Sequence, residues 1–272
     1  MGLLDTIGSW IRGTRGLSRP IEAARLLDIP SGDNYRDLGG YDTPCGPTRY
    51  RRLVRAGSTS SLTTTDLDRL EAYGVCRVLD LRSPFEDPHM TDRFARRQGV
   101  EWLNVPLFDY DLSDPNLMGT EVPAGNYLID GYVTMLSNRL AIRQIFEFLA
   151  DTPPDGTALF HCAAGMDRTG ICAMLLLGLA DVPRGQVVAD YLYSFAPIEE
   201  VDGVIFDGRE PEVVPGSWNP IPSRRQAIEY SYDCVVEGYG SVRAYLAACG
   251  ISEVCLDAVR GMLVGLGANP GT

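Results

Sequence analysis

The sequence has 272 residues, which is long enough for one large domain, and its 45% hydrophobic and 22% charged content is ordinary for a globular protein. A net charge of −12 and a pI near 4.6 argue against a nucleic-acid partner and against broad attraction to anionic membranes. No apolar run is long enough to span a bilayer and no signal peptide is visible, so we expect a cytoplasmic protein without stable membrane insertion.

Residue usage limits the chemistry that cofactors or metals could supply. The seven cysteines form neither Cys-x2-Cys pairs nor groups with histidine, so no zinc site is expected. Their odd number and apolar settings favour free thiols in a reducing compartment. All 24 basic residues are arginine, which leaves no lysine for Schiff-base or P-loop chemistry. We therefore predict neither a metal nor an organic cofactor.

Alternating strands and helices predict an α/β fold with a mostly parallel central sheet flanked by helices. An N-terminal helical extension at 1–29 is expected before the main domain at 30–272. Extended segments at 34–43 and 49–56 are predicted to form a hairpin. The other predicted strands are 75–81, 101–106 and 157–161, and the predicted helices are 63–73, 84–98, 125–136, 138–150, 169–180, 183–194, 223–237, 241–249 and 252–265.

An acidic, proline-rich segment interrupts this pattern near 196–222. It holds five prolines and six carboxylates against one arginine, which predicts an insertion without regular structure. Two interpretations are open: a lid or substrate-selecting loop near the active site, or a solvated excursion on the surface.

Residues 157–172 carry most of the information about function. A short apolar strand leads to His161 and Cys162, a tight loop of residues 163–168 follows, and a helix begins directly after it. Backbone N–H groups at a helix N-terminus lack intrahelical partners and lie at the positive end of the helix dipole. The loop is therefore predicted to be an anion cradle with a thiol at its floor and Arg168 at its rim.

This combination suits the attack of a thiolate on a phosphate ester. The loop amides and Arg168 should lower the pKa of Cys162 and hold the non-bridging oxygens of a phosphoryl group in the transition state. Thr169 is a candidate donor to the sulfur as it leaves the phosphocysteine intermediate, and His161 is expected to hold the loop rather than act as the base. The predicted phosphate-binding residues are Ala163, Ala164, Gly165, Met166, Asp167 and Arg168.

The alternative interpretation is an inert core cysteine followed by a surface arginine. Against it, the apolar strand, the glycine inside the loop and the Thr-Gly opening of the helix all agree with catalysis. Because the overall negative charge repels phosphate, the site also needs a local positive patch. Arg36, Arg55 and Arg82 are candidates for that patch, and ordinary salt-bridged surface arginines are the alternative for each.

The motif His-Cys-x5-Arg-Thr-Gly resembles the signature of the cysteine-dependent protein tyrosine phosphatase superfamily. Further segments resemble its bacterial atypical tyrosine/serine phosphatases, a subgroup that includes phosphoinositide phosphatases. The resemblance covers residues 30–265 and implies a tyrosine phosphatase-like fold with Cys162 as the nucleophile. The segments that carry the subgroup resemblance are 34–41, 55–58, 80–83 with Glu86, and 189–192.

One position departs from the subgroup's pattern. The subgroup ends its loop with Lys-Asp-Arg, whereas this chain has Met166, Asp167 and Arg168. The lysine is credited with engaging a second phosphate, as on a phosphoinositide headgroup, and methionine cannot supply that charge. The resemblance therefore carries over hydrolysis of a simple phosphomonoester but not activity on lipid headgroups.

One carboxyl group should protonate the leaving oxygen and then activate the hydrolytic water. The resemblance makes Asp167 the leading candidate. Asp80 is the second, because it lies at the carboxyl end of a strand, where α/β folds place ligand sites. The alternative for Asp80 is an ion pair or hydrogen bond that fixes Arg82 or a neighbouring loop. A third candidate source of this carboxyl group is the acidic loop at 109–114, if it closes over the site as a lid. The alternative is that this loop is simply solvated.

The sequence therefore predicts a hydrolase for phosphotyrosine, with phosphoserine and phosphothreonine as further candidate substrates, on a phosphorylated protein or a small phosphomonoester. Two alternatives remain open: a phosphatase for phosphoinositides or inositol phosphates, and a catalytically silent phosphate-binding module. The intact Cys162, Asp167 and Arg168 argue against the silent module. Rhodanese-like sulfur transfer and arsenate reduction also use a cysteine-led anion loop, but this motif late in the chain suits them less well.

Overall fold

The computed structural model describes residues 25–83, 91–108, 126–195 and 221–264, which form a five-stranded sheet flanked by helices. The strands are Arg36–Asp37 (β1), Leu53–Ala56 (β2), Val75–Asp80 (β3), Glu101–Asn104 (β4) and Thr157–His161 (β5). The helices are Thr64–Tyr73 (α1), Tyr127–Ser137 (α2), Arg139–Ala150 (α3), Asp167–Leu179 (α4), Arg184–Tyr193 (α5), Ile221–Tyr239 (α6), Val242–Ala248 (α7) and Glu253–Val264 (α8). The predicted α/β class is confirmed.

The sheet brings the carboxyl ends of its four parallel strands, β2, β3, β4 and β5, to one edge. Its order is β1-β2-β5-β3-β4, and only the β1–β2 pair is antiparallel. The central strand β5 ends at His161, which lies opposite both Ala56 of β2 and Asp80 of β3. In parallel sheets this edge is where ligand sites form. The predicted hairpin is present in shortened form, with Arg36 opposite Arg55.

Alternate side chains of β5 pack on opposite faces of the sheet. Leu159 belongs to a cluster beneath α1, whereas Ala158 and Phe160 belong to the larger cluster that surrounds α4. Helix α4 is buried from residue 169 to 179, so the element that follows the loop is held firmly in the core. Each fully buried leucine there contributes roughly 1.5–3 kcal/mol of transfer free energy. None of the helices in the described ranges combines the length and apolarity that crossing a membrane requires.

The predicted helix at 84–98 is wrong over its described part, residues 91–98, which form turns and bends. Side chains there take the place of helical hydrogen bonds, because Asp92 Oδ1 accepts from Phe94 N (2.7 Å) and Thr59 Oγ1 accepts from Arg93 N (3.2 Å). The bond to Phe94 N also fixes Asp92, whose other carboxylate oxygen contacts His161.

Two further boundaries differ from prediction. Helix α4 begins two residues early, at Asp167, and α6 begins at Ile221, inside the predicted irregular insertion. The rest of that insertion, the acidic loop at 109–114 and residues 1–24 of the predicted extension lie outside the described residues. The predicted boundary between the N-terminal extension and the main domain, after residue 29, stays a prediction.

Candidate active site

The Cys162 loop lies at the edge where β2, β3 and β5 end. Cys162 follows β5 directly and is 2% exposed, whereas Ala164 is exposed and Arg168 is half-buried. The thiol therefore occupies the inner end of the loop, and the guanidinium lies nearer the solvent in the first turn of α4. This order of burial agrees with the predicted positions of the two residues, and their catalytic roles stay predictions.

Four successive carbonyls of the loop accept hydrogen bonds from groups outside it. A planar trans peptide points its C=O and N–H in opposite directions. The amides of residues 164–167 therefore point away from the donors that hold the carbonyls, a geometry typical of anion-binding nests. The pairs are Ser58 N to Ala163 O (2.8 Å), Asn34 Nδ2 to Ala164 O (3.1 Å), Arg55 Nη2 to Gly165 O (2.9 Å) and Gly170 N to Met166 O (2.7 Å).

Gly165 is required where the loop approaches β2. Its φ of +71° lies in the left-handed region, and a Cβ there would be 2.6 Å from the carbonyl carbon and oxygen of Ala56.

The next residue, Met166, is the N-cap of α4 and makes no side-chain capping bond, whereas Thr63 caps α1 and Asn138 caps α3. The first-turn amides of α4 thus lack the side-chain acceptor that those helices carry, which leaves them suited to an anion.

Buried arginines hold the loop from below. Arg55 donates to Gly165 O, and both Arg55 and Arg36 pair with the carboxylate of Asp190 on α5. Burial alone would raise the pKa of Asp190, but the charges of Arg55 and Arg36 and the hydroxyl of Tyr41 bring it to about 2. Arg36 and Arg55 are thus ion-paired, as the alternative interpretation held, but in the core rather than on the surface.

Asp80 is engaged by Arg82 through two oxygens. Its Oδ2 accepts from Arg82 Nη2 at 2.7 Å, and its Oδ1 accepts from Arg82 Nε at 2.9 Å and from the Arg82 amide at 3.0 Å. Both side chains are buried. This bidentate pair corresponds to the alternative role that we gave for Asp80, an ion pair that fixes Arg82. The pairing leaves the carboxylate poorly placed to exchange a proton with a substrate.

Asp167 is held at the mouth of the site by Tyr132 and Arg224, two residues that the sequence did not indicate. Its Oδ1 accepts from the Tyr132 hydroxyl and from Arg224 Nη1 (3.1 Å), and Tyr132 in turn contacts the hydroxyl of Tyr191. Burial raises the pKa of both tyrosines, so they remain hydrogen-bond donors. Within the described part of the chain both donors reach Oδ1 rather than Oδ2.

Two of these partners come from distant helices. Tyr132 lies on α2 and Arg224 on α6, 35 and 57 positions from Asp167. The Arg224 guanidinium also stacks on Phe195, with its carbon 4.3 Å from the ring centroid. Neither residue belongs to a motif, so no signal in the sequence could have found them.

Thr169 makes a different bond from the one predicted. Its hydroxyl is buried and donates to Ala56 O at 3.4 Å, at the end of β2, rather than to the Cys162 sulfur. A carbonyl is a stronger acceptor than a thiol sulfur, which accounts for the choice. A role for Thr169 in releasing the sulfur stays a prediction.

His161 ends β5, directly before Cys162. Its Nδ1 is 3.1 Å from Cys162 O, and its Nε2 is 2.7 Å from Asp92 Oδ2. Asp80, Asp92 and His161 bring one ligand atom each within 4.8 Å of one another, a grouping that could suggest a metal. Arg82 already occupies the Asp80 carboxylate, and its positive charge would repel a cation, so this donor set does not fit a metal ion.

A strand, a Cys-x5-Arg loop with outward carbonyls and an uncapped helix N-terminus together define the phosphate-binding loop of cysteine-dependent phosphatases. The sequence model described as "Tyrosine phosphatase family" matches residues 27–265. The chain belongs to the tyrosine phosphatase family.

Curated relatives agree with this membership. A "Tyrosine-protein phosphatase" of Nostoc commune is 37% identical over 143 residues, which are 52% of this chain and 48% of that protein. The chain thus matches about half the length of the Nostoc protein. The "Triple specificity protein phosphatase PtpB" of Mycobacterium tuberculosis is 28% identical over 280 aligned residues, covering 88% of this chain and 99% of that protein.

Proposed function

We propose that this chain hydrolyses phosphomonoesters of proteins, phosphotyrosine first, through a phosphocysteine intermediate. The observation that carries the proposal is the loop itself: four carbonyls held outward beside Cys162, with Arg168 in the first turn of α4. Donors fixed in this way need no reorganisation when charge develops on the phosphoryl oxygens. Such preorganised stabilisation of the transition state is the main source of rate enhancement in sites of this kind.

In the first step the Cys162 thiolate attacks phosphorus and the bond from phosphorus to the leaving oxygen breaks. The loop amides and the fork of Arg168 bind the three non-bridging oxygens. Asp167 gives its proton to the leaving oxygen, so the alcohol or phenol departs neutral. The protein is left with a cysteine-bound phosphoryl group and an ionised Asp167.

In the second step water attacks the phosphoryl group and the bond between sulfur and phosphorus breaks. Asp167, now ionised, takes a proton from the water, and Cys162 leaves as a thiolate. Inorganic phosphate then dissociates. The hydrogen bonds from Tyr132 and Arg224 to Oδ1 support this assignment, because they fix the carboxyl group at the mouth of the site through one of its oxygens. The Asp80 pair with Arg82 supports Asp167 over Asp80 as the acid.

The family membership supports phosphotyrosine as the substrate, on a phosphorylated protein. Phosphoserine and phosphothreonine are further candidates, because the loop binds the phosphoryl group that all three share. The printed name of the mycobacterial relative, a triple specificity phosphatase, supports testing them. Phosphoinositides are the alternative substrate class, and Met166 argues against it because this position lacks the charge for a second phosphate.

The first experiment is hydrolysis of para-nitrophenyl phosphate in EDTA, with vanadate as inhibitor. We expect metal-independent turnover that Cys162→Ser abolishes while phosphate binding is retained. Cys172→Ser is the matched control, since this thiol is also buried but burial raises its pKa, so it should remain a protonated bystander. Turnover lost in EDTA, or retained by Cys162→Ser, would contradict the proposal, and phosphate binding by the wild type without any turnover would indicate the silent module.

The general acid is identified by leaving groups of different basicity. A group that protonates the leaving oxygen matters most when that oxygen is strongly basic. Asp167→Asn should therefore lower kcat more for phenyl or alkyl phosphates than for para-nitrophenyl phosphate. Asp80→Asn should lower kcat by the same factor for all of them. The opposite pattern would assign the proton to Asp80.

A further inference from the structure

Asn34 lies two residues before β1 and contacts the phosphate-binding loop across 130 positions of the chain. Its Nδ2 donates to the carbonyl of Ala164 at 3.1 Å and to that of Gly165 at 3.3 Å. Its backbone has a φ of +65°, in the left-handed region, which asparagine tolerates better than most residues that carry a side chain. The side-chain amide of Asn34 thus bridges two successive peptides of the loop from outside.

Arg36 sets the orientation of that amide. Asn34 Oδ1 accepts from Arg36 Nη1 at 2.6 Å, and a guanidinium can only donate, so the amide oxygen faces Arg36 and the amide nitrogen faces the loop. Arg36 is itself held in place, because its other nitrogens donate to Asp190 and to Ser194 Oγ and its side chain is 1% exposed. The donor that faces the loop is therefore fixed from the core.

The peptide between Ala164 and Gly165 needs such a restraint. Ala164 is exposed, so water competes for its carbonyl. Gly165 has no Cβ, so its φ can take either sign at little cost and the peptide before it can rotate. A rotated peptide would point its carbonyl, rather than the N–H of Gly165, toward a bound phosphoryl group. A carbonyl in that position repels the anion that the N–H would bind.

We propose that Asn34 is a positioning residue that holds two successive loop carbonyls outward, so that the amides of Gly165 and Met166 bind the phosphoryl oxygens. This inference deepens the proposed function and rests on the loop being its phosphate site. Asn34 acts through the two peptides and supplies no group to the reaction itself. Because Arg55 also donates to Gly165 O, the loss of Asn34 falls mainly on the peptide of Ala164, whose N–H belongs to Gly165.

Two substitutions remove the donor in different ways. Asn34→Gly suits the left-handed backbone and adds no charge. Asn34→Asp keeps the size of the side chain and an acceptor for Arg36, so it preserves the contact with the core even if Asn34→Gly fails to fold. It places a second acceptor, instead of a donor, against the two loop carbonyls.

The first measurement is calorimetric titration with inorganic phosphate, which needs no turnover. We expect Asn34→Gly to bind phosphate roughly fivefold more weakly than the wild type, the effect of losing one hydrogen bond of ordinary strength. Asp181→Gly is the matched control, because Asp181 also has a left-handed backbone, with a φ of +59°, and lies beyond the far end of α4. Wild-type affinity in Asn34→Gly would overturn the proposal, and so would an equal loss in Asp181→Gly.

The second measurement locates the effect by NMR spectroscopy of the loop amides. A phosphate that accepts from an N–H shifts the signal of that amide. In both variants we expect the shift of the Gly165 amide on addition of phosphate to shrink most, because Asn34 is the donor to Ala164 O. The shift of the Met166 amide should shrink less, because Arg55 still donates to Gly165 O at 2.9 Å.

The Asp167 amide is the internal reference. Its peptide is fixed by the bond from Gly170 N to Met166 O at 2.7 Å, inside α4, so its shift should stay as in the wild type. If Asn34 merely supported Arg36 and the core beneath the loop, the Met166 amide would change more than the Gly165 amide. That pattern, or an equal change in all three amides, would overturn the proposal.

Failure of the proposed function would be seen separately. A wild type that binds phosphate but does not hydrolyse para-nitrophenyl phosphate would refute the phosphatase, while the amide shifts would still decide the role of Asn34. A wild type that turns over substrate but shows no weakening of phosphate binding in Asn34→Gly would refute this inference and leave the phosphatase intact.

Discussion

The strongest test of the scaffold beneath the loop is the substitution Asp190→Asn. Asp190 is 1% exposed and bonds Arg36, Arg55 and Tyr41. The charges of Arg55 and Arg36 lower its pKa to about 2 from an ordinary 3.8, which corresponds to a contribution on the order of 2–3 kcal/mol to the folding free energy. Because the pKa is depressed, this contribution is present above pH 3.8 and is lost as the pH falls through about 2.

Asparagine removes this charge and leaves two buried guanidinium groups with no carboxylate between them. Breaking a buried ion pair in this way typically costs about 3–5 kcal/mol. We therefore expect the free energy of unfolding of Asp190→Asn at pH 7, measured in urea, to fall by about 3 kcal/mol. Phosphate binding should weaken as well, because Arg55 would no longer be aimed at Gly165 O.

Asp233→Asn is the control for this experiment. Asp233 pairs with Arg184 at 2.6 Å, but the two side chains are 43% and 41% exposed, so the loss should stay below about 1 kcal/mol. If Asp190→Asn costs no more than Asp233→Asn, the buried network does not support the loop and the argument for its rigidity fails. If stability falls while phosphate affinity is unchanged, the link from Arg55 to the loop is refuted instead.

Three further substitutions test the loop and its surroundings. Gly165→Ala should lower kcat/KM roughly 10²-fold, since its Cβ would meet Ala56 at 2.6 Å, whereas Gly185→Ala, which meets nothing within 4 Å, should leave activity unchanged; equal effects would contradict the steric account. Met166→Lys should gain activity on phosphoinositides in a substrate panel, and no gain would refute our account of the missing charge. Because the pKa of His161 is raised, wild type should lose its stability advantage over His161→Gln as pH rises above about 6.5, and a constant difference in urea unfolding would contradict this.

What the sequence could predict follows from how local each signal is. The strand, loop and helix around Cys162 are adjacent in the chain, so their order and chemistry were visible in one short stretch. The helix predicted at 84–98 failed in its described part for the opposite reason. Side-chain bonds from Asp92 and Thr59 to backbone amides override the helical pattern at 91–98, and Thr59 is 34 positions away from its partner.

The residues that surround the site were not predictable because their contacts are long-range. Asp92 reaches His161 across 69 positions, and Arg224 reaches Asp167 across 57. A carboxylate or an arginine with no motif around it looks like any other charged residue in a chain where 22% of residues are charged. The position of Asp80 at a strand end was predicted correctly, but only the geometry distinguishes its pairing with Arg82 from a role in proton transfer.

The distribution of buried charge explains how a chain of net charge −12 can attract a phosphate dianion. Asp80 and Arg82 are a buried pair of opposite charge, so together they contribute little net field. Beneath the loop, however, Arg36 and Arg55 share the single carboxylate of Asp190, which leaves an excess positive charge in the core close to Gly165. Charge buried in a low-dielectric interior is screened far less by salt than charge on the surface. The local field at the loop therefore opposes the field of the acidic surface, and phosphate affinity should persist at ionic strengths that remove the repulsion from that surface.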